Sequence, residues 1–119
     1  MIEINEKAKD NLIPLHFTMS RKQYKNLKFL KDKGYCKIMY ILRLAAVYIS
    51  YTDTNNIKSY KDMDFNAKEG KHYKVDLPKE IYLKIENKKN ETGFSMSKLL
   101  RIGLNDVLNF MENQEEKNE

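Results

Sequence analysis

Two stretches of the chain carry the same order of signals at one constant offset, and this repeat constrains the fold more than any other feature. Met19 and Leu77, Tyr24 and Tyr82, Leu42 and Leu100, and Arg43 and Arg101 are each 58 positions apart. The offset holds without a gap through a strand-like segment, a helix-like segment, a break and a second helix-like segment. An internal period changes the whole reading of a fold, because a unit that cannot bury its apolar face alone buries it against a neighbour. The length of 119 residues suits one ordinary domain or two half-domains of roughly 50 residues. Units that small bury too little surface to stand alone, so they pair.

The first copy begins after a polar lead-in, residues 1–11. Leu12 to Met19 alternates, with Leu15, Phe17 and Met19 apolar and His16 and Thr18 polar between them, as in a strand with one buried face. Ser20 opens a basic helix to about Lys33, with Tyr24, Leu27, Phe29 and Leu30 apolar near helical spacing, and Gly34 breaks it. A second helix from about Lys37 to Ile49 has a wide apolar face of Ile38, Ile41, Leu42, Ala45, Tyr48 and Ile49. Residues 53–70 are polar and read as a linker, with Ile57, Tyr60, Met63 and Phe65 as candidate anchors to the body. The pattern then restarts. Lys71 to Leu77 alternates, with Tyr73, Val75 and Leu77 on one face and His72, Lys74 and Asp76 on the other. Pro78 ends this strand and suits the first turn of a helix. That helix runs to about Thr92, with Ile81, Tyr82 and Ile85 inward, and Gly93 stops it. Ser95 caps the last helix, whose apolar face is Met96, Leu99, Leu100, Leu104, Val107, Leu108 and Met111. Residues 112–119 form an acidic tail, expected to fray. The units are therefore 12–52 and 71–111.

A formal net charge of +5 and a pI near 9.2 favour capture of phosphate-bearing partners without naming one. Cys36 is the only cysteine, so no internal disulfide forms and a reducing, cytoplasmic setting is expected; its simplest role is as a small packing residue. No Cys/His cluster has zinc-ligand spacing. Met1 to Asp10 is mostly charged and polar, unlike a signal peptide. The most apolar stretch, Ile38 to Tyr51, is interrupted by Arg43 and falls short of the roughly 20 residues of a membrane span. His16 and His72 are isolated in sequence, and no nucleophile-base-orienter set or phosphate-cradling glycine loop is present. An enzyme is not expected, and neither is a cofactor or a metal. Arg43 and Arg101, mid-helix, are expected to make structural ion pairs.

The second copy has a short alternating strand ending in Leu77 and Pro78, a first helix, a Gly-x-Ser-x-Ser turn at Gly93, Ser95 and Ser97, and a second amphipathic helix with Arg101. Over Lys71 to Phe110 it resembles the ribbon-helix-helix family, which includes the Arc- and MetJ-type repressors, plasmid-borne antitoxins and conjugation accessory proteins. The first copy follows the pattern less closely. Ser20 replaces the proline, and Gly34, Tyr35, Cys36 and Lys37 replace the turn. In the second copy, Lys88 and Lys89 stand where the family has an apolar and a small residue, so that helix is expected to be wetter or its lysines to snorkel; Leu30 aligns with Lys88 and is apolar.

The resemblance implies a mainly α fold with a short antiparallel β-ribbon, in which two tandem units, β-α-α, linker, β-α-α, form a pseudo-dimer. Pairing of the two strands within the chain is favoured over pairing between chains, because the linker raises the effective concentration of the partner strand. Ribbon readers of this family enter the major groove of double-stranded DNA. With the apolar strand positions inward, the period of two turns His16, Thr18, His72, Lys74 and Asp76 outward as the expected base contacts. Lys74 can donate to guanine O6 or N7, and Asp76 can accept from cytosine N4 or orient Lys74. Phosphate contacts are expected at the helix N-termini, from Lys37 in the first copy and from Ser95, Met96 and Ser97 in the second, where free N–H groups meet the helix dipole. Arg21, Lys22, Lys25, Lys28, Lys31 and Lys33 form a basic face open to sequence-blind phosphate contact. Two unlike strands predict an asymmetric target site.

The expected function is sequence-specific DNA binding, as a repressor or as a plasmid or phage DNA accessory protein. Self-association on DNA is a further expectation, and no membrane partner is expected. The alternative is a protein-interaction module on the same fold, antitoxin-like or inhibiting a host enzyme, with Tyr60, Met63 and Phe65 as candidate contacts. Substituting the outward strand residues separates the two, since it abolishes only DNA binding.

Overall fold

The computed structural model describes residues 12–35, 37–63 and 70–118, with side chains through residue 113. The elements run β1 (Leu12–Met19), α1 (Arg21–Asp32), α2 (Ile38–Tyr51), α3 (Thr54–Lys58), β2 (Lys71–Pro78), α4 (Lys79–Thr92) and α5 (Met96–Asn118). The chain is mainly helical, with one two-stranded antiparallel sheet formed by β1 and β2. Cys36, Phe65 and the lead-in 1–11, assigned roles from sequence, lie outside the described residues.

The strands pair in full register, Leu12 opposite Pro78 through Met19 opposite Lys71. Alternation explains which face turns inward: Leu15, Phe17, Met19, Val75 and Leu77 are buried, and Ile13 and Tyr73 are half-buried beside them. Each buried branched or aromatic side chain contributes about 1.5–3 kcal/mol relative to exposure, so a one-residue slip, which would reverse the faces, is strongly disfavoured.

Several helix starts and stops have a local cause. Ser20 accepts the Gln23 N–H, and the Gln23 side chain accepts the Ser20 N–H in return, a reciprocal capping box at the start of α1. The Gln23 amide then donates to the Arg101 carbonyl at 2.8 Å, which fixes α1 against α5. Gly34 (φ +79°) follows α1, and Gly93 (φ +76°) closes α4 in the left-handed conformation that glycine adopts without strain. Pro78 is the N-cap of α4, one position before the first turn assigned to it from sequence; its fixed φ of −54° suits that place as well. Ser95 caps α5, accepting the Lys98 N–H at 3.1 Å.

The helices stack over the inner face of the ribbon and share one core. The closest approach is between α2 and α5. A Cβ built on Gly103 would sit 2.6 Å from the Ala45 carbonyl oxygen and 3.2 Å from the Ile49 Cβ, so only glycine lets the helices cross at this distance. Around that crossing Leu42, Ala46, Ile49, Leu99, Leu100 and Val107 are buried. Three pairs of residues 58 positions apart meet face to face: His16 with Lys74 in the ribbon, Ala45 with Gly103 at the crossing, and Tyr48 with Asp106, where the hydroxyl donates to the carboxylate at 3.2 Å.

Several sequence expectations are filled in or corrected. The segment 53–70 is not wholly a linker: it contains α3, whose Ile57 is fully buried and whose following residue Tyr60 donates to Asp106 at 2.9 Å. Tertiary burial, not propensity, holds so short a helix. Residues 112–118, read from sequence as a separate tail, continue α5. Tyr48, assigned to the buried face of α2, is 43 % exposed, because its hydroxyl reaches out to Asp106. Arg101 donates to the Thr18 carbonyl at 2.8 Å, and burial lowers its pKa. Arg43 lies exposed.

Candidate functional site

A two-stranded ribbon presents whichever side chains its period of two turns away from the core. Here that outer row is Pro14, His16 and Thr18 on β1 and His72, Lys74 and Asp76 on β2. The register sets Pro14 opposite Asp76, His16 opposite Lys74, and Thr18 opposite His72. His16, His72, Lys74 and Pro14 are exposed, and Thr18 and Asp76 are half-buried. All five residues expected to contact bases therefore share one face. Pro14 was not named from sequence, although it precedes His16 by two positions and so belongs to the same row by parity.

The row is internally connected. The rings of His16 and His72 stack with centroids 5.5 Å apart and planes 18° apart. His72 Nε2 lies 3.4 Å from His16 Nδ1, and Thr18 Oγ1 lies 3.3 Å from His72 Nδ1. The two histidines, isolated in sequence, are neighbours in space, because antiparallel pairing joins positions 56 apart. Their proton positions follow from the tautomer. With Thr18 donating to His72 Nδ1 and His72 Nε2–H turned to His16 Nδ1, the remaining His16 Nε2–H faces outward as a donor. Lys74 Nζ stands 4.0 Å from Asp76 Oδ1 with both side chains largely solvated, and such an ion pair contributes little stability. The face thus offers donors at its centre, from His16 and Lys74, and one carboxylate at the Pro14–Asp76 end.

The residues expected at phosphates stand apart from this row, at two helix N-termini. Lys37 is the exposed N-cap of α2 and makes no side-chain capping bond. Ser95 spends its hydroxyl on the Lys98 N–H, while Met96 and Ser97 supply the first N–H groups of α5, which an α-helix leaves without internal acceptors. Lys98, not singled out from sequence, holds its ammonium 4.3 Å from the centre of the Phe94 ring and donates to the Lys61 carbonyl at 2.9 Å. Arg21, Lys22, Lys25, Lys28, Lys31 and Lys33 are all exposed on and just after α1.

Among the described residues no group of three or more His, Cys, Asp or Glu could hold a metal ion, and no helix is long and apolar enough to cross a membrane. A second surface differs in character. Leu44, Val47, Tyr48, Asp106, Val107, Phe110 and Met111 line a groove of about 520 Å³ along α2 and α5. Phe110 is 64 % exposed at its edge. Comparison with protein-family models, curated proteins and solved structures found no match to this chain.

Proposed function

We propose that the chain is a sequence-specific double-stranded DNA-binding protein, built as two tandem ribbon-helix-helix units that pair within one chain and insert their ribbon into the major groove. One observation carries this reading. The strand register is symmetric about the His16–Lys74 pair, and those two residues are also equivalents in the 58-residue repeat. A two-fold axis through that pair relates β1 to β2. The same axis accounts for Ala45 meeting Gly103 and Tyr48 meeting Asp106, since residues on a two-fold axis meet their own equivalents. The helix starts agree: Arg21 and Lys79, and Ile38 and Met96, are again 58 apart. These coincidences support the reading of two ribbon-helix-helix units joined in one chain.

The chemistry of the outer row supports DNA as the ligand. Lys74 and the histidines match acceptors on base edges, Asp76 matches an exocyclic amino group, and Thr18 matches either an acceptor or a thymine methyl. Lys37 and the start of α5 at Ser95, Met96 and Ser97 suit flanking phosphates. The role is that of a repressor or of a plasmid or phage DNA accessory protein in the cytoplasm, without cofactor or catalysis.

A second reading, a protein-interaction module on the same fold, draws on the exposed apolar groove of α2 and α5. It does not draw on Tyr60, whose hydroxyl is already given to Asp106. Fluorescence anisotropy on DNA from upstream of the protein's own gene, against scrambled DNA at two salt concentrations, separates the readings. Tight binding to the native site that survives moderate salt is expected. Equal binding to both DNAs, erased by salt, leaves only the charge effect, and no binding at low salt returns the groove as the working surface.

A further inference from the structure

The two ends of the ribbon are chemically unlike, and this dictates more than an asymmetric site. Thr18 and Asp76 are equivalents in the repeat, 58 positions apart, and they lie at opposite ends of the outer row. One end therefore carries a hydroxyl beside an imidazole, and the other a carboxylate beside Pro14. Proline offers that carboxylate no donor, and Lys74 reaches it only at 4.0 Å. A carboxylate brought into the groove is repelled by the phosphates on both sides unless a base edge supplies a donor. The major groove holds only two such donors, cytosine N4 and adenine N6.

We infer that Asp76 fixes the orientation of the duplex, by requiring a cytosine or adenine amino group at one end of the site and rejecting bases that present only acceptors there. The inference rests on the DNA-binding reading. Lys74 and Asp76 are two residues apart on one strand, about 6.8 Å at the usual rise. That span equals roughly two base-pair steps at 3.4 Å. The amino-bearing base thus falls about two base pairs from the guanine that Lys74 addresses. Only that side of the central guanine is constrained, because the equivalent position on the other side is Thr18, whose uncharged hydroxyl can turn from His72 and is not repelled by the phosphates.

The test is selection from a duplex pool with a randomised centre, using the full chain, Asp76→Ala, and the exchange variant Thr18→Asp with Asp76→Thr. Far-ultraviolet circular dichroism and thermal melting verify that each variant folds. The wild type should enrich a non-palindromic motif with C or A on one side of a guanine. Asp76→Ala should lose that preference at one position alone, on the order of 10-fold, and the exchange should move the preference to the other side. Retention of the motif by Asp76→Ala, with affinity changed equally for every sequence, would mean that the acid merely screens Lys74, and the inference falls. A palindromic wild-type motif also overturns it while leaving DNA binding intact. Enrichment of no motif removes both.

Discussion

The half of the molecule from β1 through α2 and the half from β2 through α5 solve the same packing problem with different residues. In the first, α1 buries Leu27 and Leu30 and carries its basic residues outward against a single acid, Asp32. In the second, α4 fully buries only Ile85, interleaves lysines with Glu80, Glu86 and Glu91, and has Lys88 where the first half has Leu30. The apolar surface missing from α4 is supplied from outside the repeat. Helix α3 lies against α4, sends Ile57 into the core, and ties down through Thr54, which donates to Glu91 and receives the Lys88 ammonium at 3.3 Å. A connecting segment has become part of one half's structure. The lesson is that equivalent positions in a repeat need not do equivalent work once a helix between the copies packs against one of them.

The sharpest way to break this comparison is to make the halves alike. Leu30→Lys should cost about 3 kcal/mol or more, because it removes a buried apolar side chain and buries an ammonium, whereas Lys88→Leu should change stability by less than about 1 kcal/mol. Urea unfolding measures both, and equal losses would mean that α3 does not compensate. Next in size is the helix crossing. Gly103→Ala should lose about 1–3 kcal/mol by overpacking against the Ala45 carbonyl, and Ala45→Gly only about 1 kcal/mol through helix propensity. Reversal of that order would show that the crossing is looser than its geometry implies.

On the ribbon, the two residues at the centre should separate by anisotropy on a bound site. Lys74→Ala should weaken DNA binding on the order of 10-fold, and His16→Ala less; parity would make the charge of Lys74 irrelevant. The equivalent helix starts differ too. Ser95→Ala should cost about 1 kcal/mol and Lys37→Ala close to nothing in thermal melting, since only Ser95 makes a capping bond. The smallest effect is alkaline. Both hydroxyls that donate to Asp106 titrate above the ordinary tyrosine value, Tyr60 chiefly through that hydrogen bond and Tyr48 chiefly through desolvation. Their folded values exceed the unfolded value of 10.0, so the unfolded chain ionises first. The stability they contribute is full below pH 10 and is lost as pH rises through the folded values. Asp106→Asn should lower the Tyr60 midpoint more than that of Tyr48 in ultraviolet difference titration; an equal shift would assign both to the same cause.

Much of this was legible in the chain itself. Alternation located both strands and their inward faces, glycine and serine marked the helix breaks, and the outer row followed from parity. What could not be read is what depends on register and on tertiary contact. Nothing local says that His16 meets His72, because their approach follows from which residue pairs with which across the strands. Five residues of polar sequence around Ile57 hold no helical period to detect. Arg101 gave no sign that its guanidinium would reach the Thr18 carbonyl, since that contact requires α5 to lie against β1 first.

The face-to-face pairs have a consequence for how interchangeable the two segments are. In two identical subunits every residue on the axis would confront its own copy. Two alanines at the crossing would collide with backbone, judging by the 2.6 Å approach at Gly103, and two copies of Asp106 would set carboxylate against carboxylate. The two segments instead set unlike residues against each other at these positions: alanine with glycine at the crossing, tyrosine with aspartate beside it, and histidine opposite lysine in the ribbon. Neither segment could therefore stand in for the other at these contacts, so the order of the two along the chain matters to the packing.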